Sequence, residues 1–316
     1  MNKFFSKLDK GAFLAPMADY TNIAFRTLAK ENGAALLYTE LISVKAINFN
    51  SKKTIKMMQV SEIEKPVFLQ LFGNNLIDFA SAIKKVEQIL PNNFAGYDLN
   101  CGCSVLKAIK GNYGVKLMDY PKLVSEIIKE MKSVTSKPVT IKMRLGLKDE
   151  NFLEVSQEAI DAGVDGICLH ARFGTDGYSG KANWEKIKEL RNIIPKRIPV
   201  IGNGDVTNLD DYLKIKKETN CDFVMIGRGA IGNAFLFKQI KEYEKNEKLI
   251  EKKKIDNYLE AKRYLEIAKK FDLEINSIRP YFIGVATGFI GAKDLRLKFA
   301  LSKNVDEIEN LIEELN

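Results

Sequence analysis

Short, almost wholly apolar runs alternate with longer amphipathic stretches through the first three quarters of the chain. The runs are Ala12-Phe13-Leu14-Ala15, Ala35-Leu36-Leu37-Tyr38, Val67-Phe68-Leu69-Gln70-Leu71, Gly96-Tyr97-Asp98-Leu99, Val139-Thr140-Ile141-Lys142-Met143, Gly166-Ile167-Cys168-Leu169-His170, Pro199-Val200-Ile201-Gly202 and Phe223-Val224-Met225-Ile226-Gly227. Continuous apolar runs of this length suit strands buried on both faces, as in a parallel sheet. The stretches between them space apolar residues at helical intervals, as in Leu123, Ile127, Ile128 and Met131, and in Phe152, Val155, Ala159 and Ile160. Strand and helix patterns in alternation predict βα units, and eight of them make a (β/α)8 TIM barrel, an α/β fold. From Lys238 to Leu259 the composition shifts to Lys and Glu, which predicts a solvated helix or linker closing the barrel. Beyond it the pattern is helical throughout, with Ala261, Leu265, Ala268 and Phe271 on one face and Val305, Ile308, Leu311 and Ile312 on another. The expected organisation is a barrel over residues 1–240 and a small all-helical C-terminal domain over 241–316.

Composition narrows the class. Of 316 residues, 46% are hydrophobic and 28% charged, values of a soluble globular protein. No charged-then-apolar leader opens the chain, and the most lipid-like run, Ile283 to Ala292, is too short to span a bilayer, so a cytoplasmic location is expected. Cysteines 101, 103, 168 and 221 make no disulfide framework. The Cys101-x-Cys103 pair lacks the second pair or neighbouring histidines of a zinc site, and no metal is expected. The single histidine, His170, excludes a two-histidine mechanism. A formal net charge of +8 fits a polyanionic partner and equally a lysine-rich surface with no partner.

The ends of the strands carry the chemistry. The first runs into Ala15-Pro16-Met17-Ala18, where small residues let backbone approach a flat ligand. The third offers the amide of Gln70, which can both donate and accept. The fourth leads into Asn100-Cys101-Gly102-Cys103, a thiol on a glycine turn that is either a packed core group or a reacting one. The fifth carries Lys142 and Arg144 on one side at period two; a lysine in an otherwise apolar strand needs an anionic or electron-rich partner, within the protein or bound to it. The last two strands end in Gly202-Asn203-Gly204-Asp205 and Gly227-Arg228-Gly229. Together these suit a phosphate cradled by backbone N–H groups. A phosphorylated planar cofactor facing a thiol fits flavin mononucleotide (FMN), since a cation near the ring stabilises its anionic reduced form. The thiol then acts as general acid in the reduction of an activated C=C bond.

Over nearly its entire length the chain resembles the tRNA-dihydrouridine synthases. The matching motifs are Ala15-Pro16-Met17-Ala18 with Phe25-Arg26, Thr39-Glu40-Leu41-Ile42-Ser43, Gln70-Leu71-Phe72-Gly73, Asp98-Leu99-Asn100-x-Gly102-Cys103, Lys142-x-Arg144, His170-x-Arg172, Ala182-Asn183-Trp184, Gly202-Asn203-Gly204-Asp205 and Met225-Ile226-Gly227-Arg228-Gly229. The resemblance implies reduction of the C5=C6 bond of particular uridines in RNA, with tRNA as the expected partner, FMN as cofactor and NADPH or NADH as reductant. It implies that Cys103 protonates C5. It further implies that Pro16, Met17, Ala18, Gln70, Lys142, His170, Asn203, Gly204, Asp205, Gly227 and Arg228 contact the flavin, and that Asn100, Arg144 and Tyr178 face the flipped uracil. A base must leave its stack to reach a barrel mouth, and a ring such as Tyr178 offsets part of that cost. Relatives of this kind are usually monomeric.

The chain departs from the family pattern in places. Ser104 stands where the family has proline, Asp19 where it has glycine, and Phe173 where it has threonine. In the tail, Arg279-Pro280-Tyr281-Phe282-Ile283-Gly284 puts apolar residues where relatives carry a basic cluster. That leaves Arg279, Lys293, Arg296 and Lys298 as candidate phosphate contacts, and makes ribosomal RNA the alternative substrate. Two further readings stay open: an FMN barrel reductase of a small enone or pyrimidine, and a non-catalytic RNA-binding protein on a barrel that has lost its activity.

Overall fold

The computed structural model describes residues 3–287 and 290–315; Gly288 and Phe289, within the lipid-like run named above, lie outside them. Nine parallel strands form a single sheet. They are β1 (Phe13–Leu14), β2 (Leu36–Tyr38), β3 (Ile42–Ser43), β4 (Val67–Phe72), β5 (Gly96–Cys101), β6 (Val139–Met143), β7 (Gly166–His170), β8 (Val200–Asn203) and β9 (Phe223–Ile226). Their order is β2-β1-β9-β8-β7-β6-β5-β4, and β2 pairs back with β4 to close a ring of eight. All eight expected strands are present, and the (β/α)8 barrel is confirmed. The sequence pattern did not anticipate β3. It continues along β4 past the end of β2, pairing Ile42 with Leu71 and Ser43 with Phe72, and two residues are too few to show a period.

Aromatic side chains fill the end of the barrel away from the site. Phe5, on a 3-10 turn before β1, reaches in to meet Phe68 and Phe223, and Phe13 stacks on Phe223 at 4.7 Å between centroids. The rings of Phe5, Phe13 and Phe68 are fully buried, and each contributes about 1.5–3 kcal/mol. Outside the ring lie amphipathic helices. Helix Pro121–Ser133 begins with proline at its first position, where the missing N–H costs nothing, and buries Val124, Ile127, Ile128 and Met131. Leu123, expected on that face, is only half-buried.

The Lys/Glu-rich stretch is not one helix. Helix Phe235–Asn246 ends at Glu247, whose φ is 54°, and a new helix, Lys254–Lys270, begins after a break. Residue 240, on the expected boundary, falls inside the first of these. Three more helices follow: Ile275–Val285, Ala292–Leu301 and Val305–Ile312. The bundle is fastened to the barrel by buried polar groups. Glu260 accepts hydrogen bonds from the Ala234 and Phe235 N–H groups at 2.8 and 3.1 Å and from the Tyr281 hydroxyl. Asn22 caps helix Ile23–Glu31 through its Oδ1 and donates Nδ2 to Tyr264 and to the Ser277 carbonyl. The apolar stretch of the tail is a packing seam. Phe282 is buried against Phe299, and a Cβ on Gly232 would lie 2.2 Å from the backbone of Gly284 and Val285. A basic cluster has no room there.

Candidate active site

The C-terminal mouth of the barrel opens into a cavity of about 360 Å3. Pro16, Met17, Lys142, His170, Tyr178, Asn203, Gly204, Asp205, Gly227 and Arg228, all singled out from sequence, line it together. Five others do not line it: Ala18, Gln70, Asn100, Cys103 and Arg144. Ala18 is exposed on the turn after β1. The remaining four belong to a hydrogen-bonded assembly beside the cavity.

That assembly follows from strand register. Gln70 of β4 pairs with Asp98 of β5, and Asp98 with Thr140 of β6, so the three side chains meet across neighbouring strands. Two residues on, and therefore on the same side, Asn100 pairs with Lys142. Thr140 Oγ1 and Gln70 Nε2 donate to the two carboxylate oxygens of Asp98, at 2.5 and 2.7 Å. Asn100 Nδ2 donates to Gln70 Oε1 at 2.7 Å, and Asn100 Oδ1 accepts the Cys103 N–H at 3.1 Å. Burial pushes the Asp98 carboxyl up to about 6, against the pull of Thr140, Gln70 and Lys142. Cys103 itself is half-buried, and its carbonyl accepts the Val115 N–H.

Lys142 is half-buried and its ammonium has no hydrogen bond or ion pair among the described residues. Burial lowers its pKa. Arg144, by contrast, is used as a brace: Nε donates to the Gly102 carbonyl, and one terminal nitrogen to the carbonyls of Phe173 and Gly177, at 2.8–2.9 Å. It thereby ties the turn carrying Cys103 to the loop carrying Tyr178. The Tyr178 ring is 62% exposed and lies near two guanidinium groups, with Arg228 at 4.3 Å and Arg144 at 5.7 Å from its centroid.

Two residues outside the sequence-based set prove central. Asp98 anchors the assembly just described. Arg172 is buried, donates from one terminal nitrogen to both Asp205 oxygens at 2.6 and 2.7 Å and also donates to the carbonyls of Ser179 and Gly180. It also faces His170 Nε2 at 3.2 Å. Burial and then the charges of Lys142, Arg144, Arg172 and Arg228 drive the His170 pKa far down, so the ring is neutral. With Nε2 accepting from Arg172, its proton belongs on Nδ1. Burial works against ionisation of Asp205, yet the Ala182 N–H and Arg172 hold it below the usual carboxylate range. Both residues carry the signal that marked Lys142, a charged group inside or just beyond an apolar strand.

At the other end of the cavity the N–H groups of Gly204, Asp205, Val206, Arg228 and Gly229 have no acceptor among the described residues. A cavity with an unpaired cation on one side and a row of unused N–H groups on the other fits a planar, electron-accepting ring that carries a phosphate. No cluster of three or more potential metal ligands occurs among the described residues.

Comparison with known proteins agrees with this arrangement. The family model described as dihydrouridine synthase matches residues 13–315. A probable tRNA-dihydrouridine synthase of Aquifex aeolicus is 33% identical over 304 residues, covering 95% of this chain and 94% of its own. One from Mycobacterium leprae is 28% identical over 339 residues, covering 96% and 87%. Among solved structures, the old yellow enzyme homologue of Zymomonas mobilis superposes with a TM-score of 0.53 at 13% identity, over 78% of this chain and 93% of that one. Histamine dehydrogenase from Rhizobium sp. 4-9 gives 0.56 at 16% identity; this chain covers 50% of its length, and both likenesses are of fold alone. With the barrel, the cavity and a match from the first strand to the last helix in agreement, the chain belongs to the dihydrouridine synthase family.

Proposed function

We propose that this protein reduces the C5=C6 bond of specific uridines in tRNA to 5,6-dihydrouridine, with FMN as cofactor and NADPH or NADH as reductant. A hydride and a proton are added across the bond, and the nicotinamide is oxidised. FMN held here would supply the hydride, to C6. Cys103 Sγ delivers the proton to C5 from the turn that Asn100 holds. Lys142 would sit beside the ring and favour its anionic reduced form, with Gln70, neutral His170, Pro16, Met17 and Ala18 as further flavin contacts. Asn203, Gly204, Asp205, Gly227 and Arg228 would take the phosphate, largely through N–H groups. Asn100, Arg144 and Tyr178 would receive the flipped uracil. The protein acts as a monomer in the cytoplasm, the barrel through about residue 240 carrying the chemistry and the helical tail docking the RNA.

The observation that carries this reading is the cavity with unpaired Lys142 on one side, unused N–H groups on the other and the Cys103 turn alongside. Ribosomal RNA loses its main support, because the apolar stretch that raised it is occupied in packing. The test is reconstitution with FMN and incubation with unmodified tRNA and NADPH, with dihydrouridine read by mass spectrometry. Formation of dihydrouridine at one or a few positions is expected. A protein that keeps no flavin spectrum after desalting, or that leaves tRNA unchanged while reducing ribosomal RNA or free pyrimidines, overturns it.

A further inference from the structure

The chain of hydrogen bonds beneath Cys103 has a direction. An ionised carboxylate can only accept, so Gln70 must turn its Nε2 to Asp98. That presents Gln70 Oε1 to Asn100, which must answer with Nδ2. Asn100 Oδ1 is then left facing the turn, where it accepts the N–H groups of Cys103 at 3.1 Å and Gly102 at 3.4 Å. Reversing either amide would set donor against donor in a buried site, which costs about 1–3 kcal/mol for each group left unpaired. One carboxylate therefore fixes the sense of two amides and, at the end of the line, the backbone of the thiol turn.

We propose that Asp98 is a positioning residue for Cys103: its buried carboxylate, acting through Gln70 and Asn100, sets the amide polarity that holds the Cys103 turn in place. Asp98 touches neither the cavity nor the thiol. Its other partner, Thr140, only donates to it and leads nowhere further toward the turn, apart from a 3.4 Å contact with the Tyr97 carbonyl. The relay should thus be sensitive to Asp98, Gln70 and Asn100. This inference rests on reading Cys103 as the proton donor.

The test uses the FMN-loaded holoenzyme. Asp98→Asn is close in shape but supplies both a donor and an acceptor, so it removes the directional instruction. It should lower single-turnover uridine reduction by up to about 100-fold, the cost of misplacing a reacting group by about an ångström. The KM for tRNA should stay within about twofold, and NADPH oxidation should fall far less than uridine reduction, the small loss reflecting the place of Gln70 beside the flavin. Iodoacetamide labelling of Cys103, followed by peptide mass spectrometry, should change in rate in the same variant. In an Asn100→Ala background Asp98→Asn should add no further loss, since the link is already cut. Additive losses in the double variant, or equal loss of NADPH oxidation, overturn the proposal. So does unchanged Cys103 labelling. Should Asp98→Asn fail to fold, Gln70→Met breaks the relay at its next link and is read by the same labelling and double-variant criteria. Cys103→Ala assayed in parallel separates the two claims: if it still reduces uridine, the role of Cys103 fails. The labelling then still reports whether Asp98 controls the turn.

Discussion

The two sides of the cavity are built from different parts of the polypeptide. Toward β4–β7 the working groups are side chains: Lys142 and His170 in the wall, with Gln70, Asn100, Cys103 and Arg144 in the assembly beside it. Toward β8 and β9 they are backbone N–H groups of Gly204 to Val206 and of Arg228 and Gly229. Side chains can be aimed, but they need a supporting network, and Asp98, Thr140 and Arg172 provide it. Backbone needs no such support, only close approach between loops. A Cβ on Gly229 would lie 2.2 Å from the Val206 carbonyl oxygen, so the two loops proposed to take the phosphate are pressed together without side chains between them. Damage to the first side should therefore cost turnover, and damage to the second should cost cofactor.

The largest effect expected is that of Cys103→Ala. Uridine reduction should fall by about 100- to 10,000-fold, the usual contribution of a general acid, while flavin content and NADPH oxidation persist. Cys101→Ala, at a position buried in the core and facing away from the cavity, should be far milder. Equal losses in stopped-flow assays of the two variants would remove the acid role.

Next comes Arg144→Ala. Because this guanidinium braces both the Cys103 turn and the Tyr178 loop, turnover should drop by up to about 100-fold with RNA affinity little changed. Tyr178→Ala, which removes only an exposed ring, should lose less. The order of the two kcat values decides between a brace and a simple uracil contact.

On the backbone side, Gly229→Ala should weaken FMN retention by at least about tenfold, or 1.4 kcal/mol, and lower the Tm, because two loops must separate. Gly227→Ala meets only Met17 Sδ at 3.4 Å and Ala15 Cβ at 3.6 Å, so the fold should keep its Tm while the new methyl group disturbs the bound flavin. A calorimetric scan and a flavin titration on both variants would show whether the glycines serve packing or the cofactor. Loss of Tm in Gly227→Ala would blur the distinction.

The smallest effect expected lies in the tail. Arg279 and Arg296 donate to the Ala300 and Ala286 carbonyls, and Lys298 pairs with Glu314 at 2.8 Å. Lys293 is exposed and has no partner among the described residues. Lys293→Gln should reduce the salt slope of RNA binding by about one unit, and Lys298→Gln by less. A reversed order in filter-binding series would place the RNA on a different face.

Most of this architecture could be read from residues in order along the chain. Eight apolar runs became eight strands because burial on both faces leaves an uninterrupted apolar signature. The glycines proposed to take the phosphate stood out in the sequence because close approach of two backbone loops demands glycine locally. The side-chain side was only half readable. Gln70 and Asn100 stood out as polar groups at strand ends, yet both are spent on one another and on Asp98. That meeting depends on register between strands some thirty residues apart, which no local pattern carries. Arg172 was visible only as part of a motif, and its grip on Asp205 is another long-range pairing. The apolar Phe282-Ile283-Gly284 stretch looked like a lost binding surface because nothing nearby in sequence shows that Gly232 packs against it.

His170 has a practical consequence. It is the only imidazole in the chain, and it forms part of the cavity wall. A proton NMR spectrum will therefore contain a single pair of imidazole ring signals, assigned without labelling, and they should shift when the flavin site fills. In the folded protein they should not move between about pH 5 and 8, because the ring is held neutral far below its ordinary range. On unfolding they should titrate near about 6.5. Below that pH the unfolded chain takes up a proton that the folded one refuses, so this residue makes the protein less stable as the solution is acidified. The molecule thus carries its own spectroscopic reporter of cavity occupancy and folding, placed where the reaction is expected to occur.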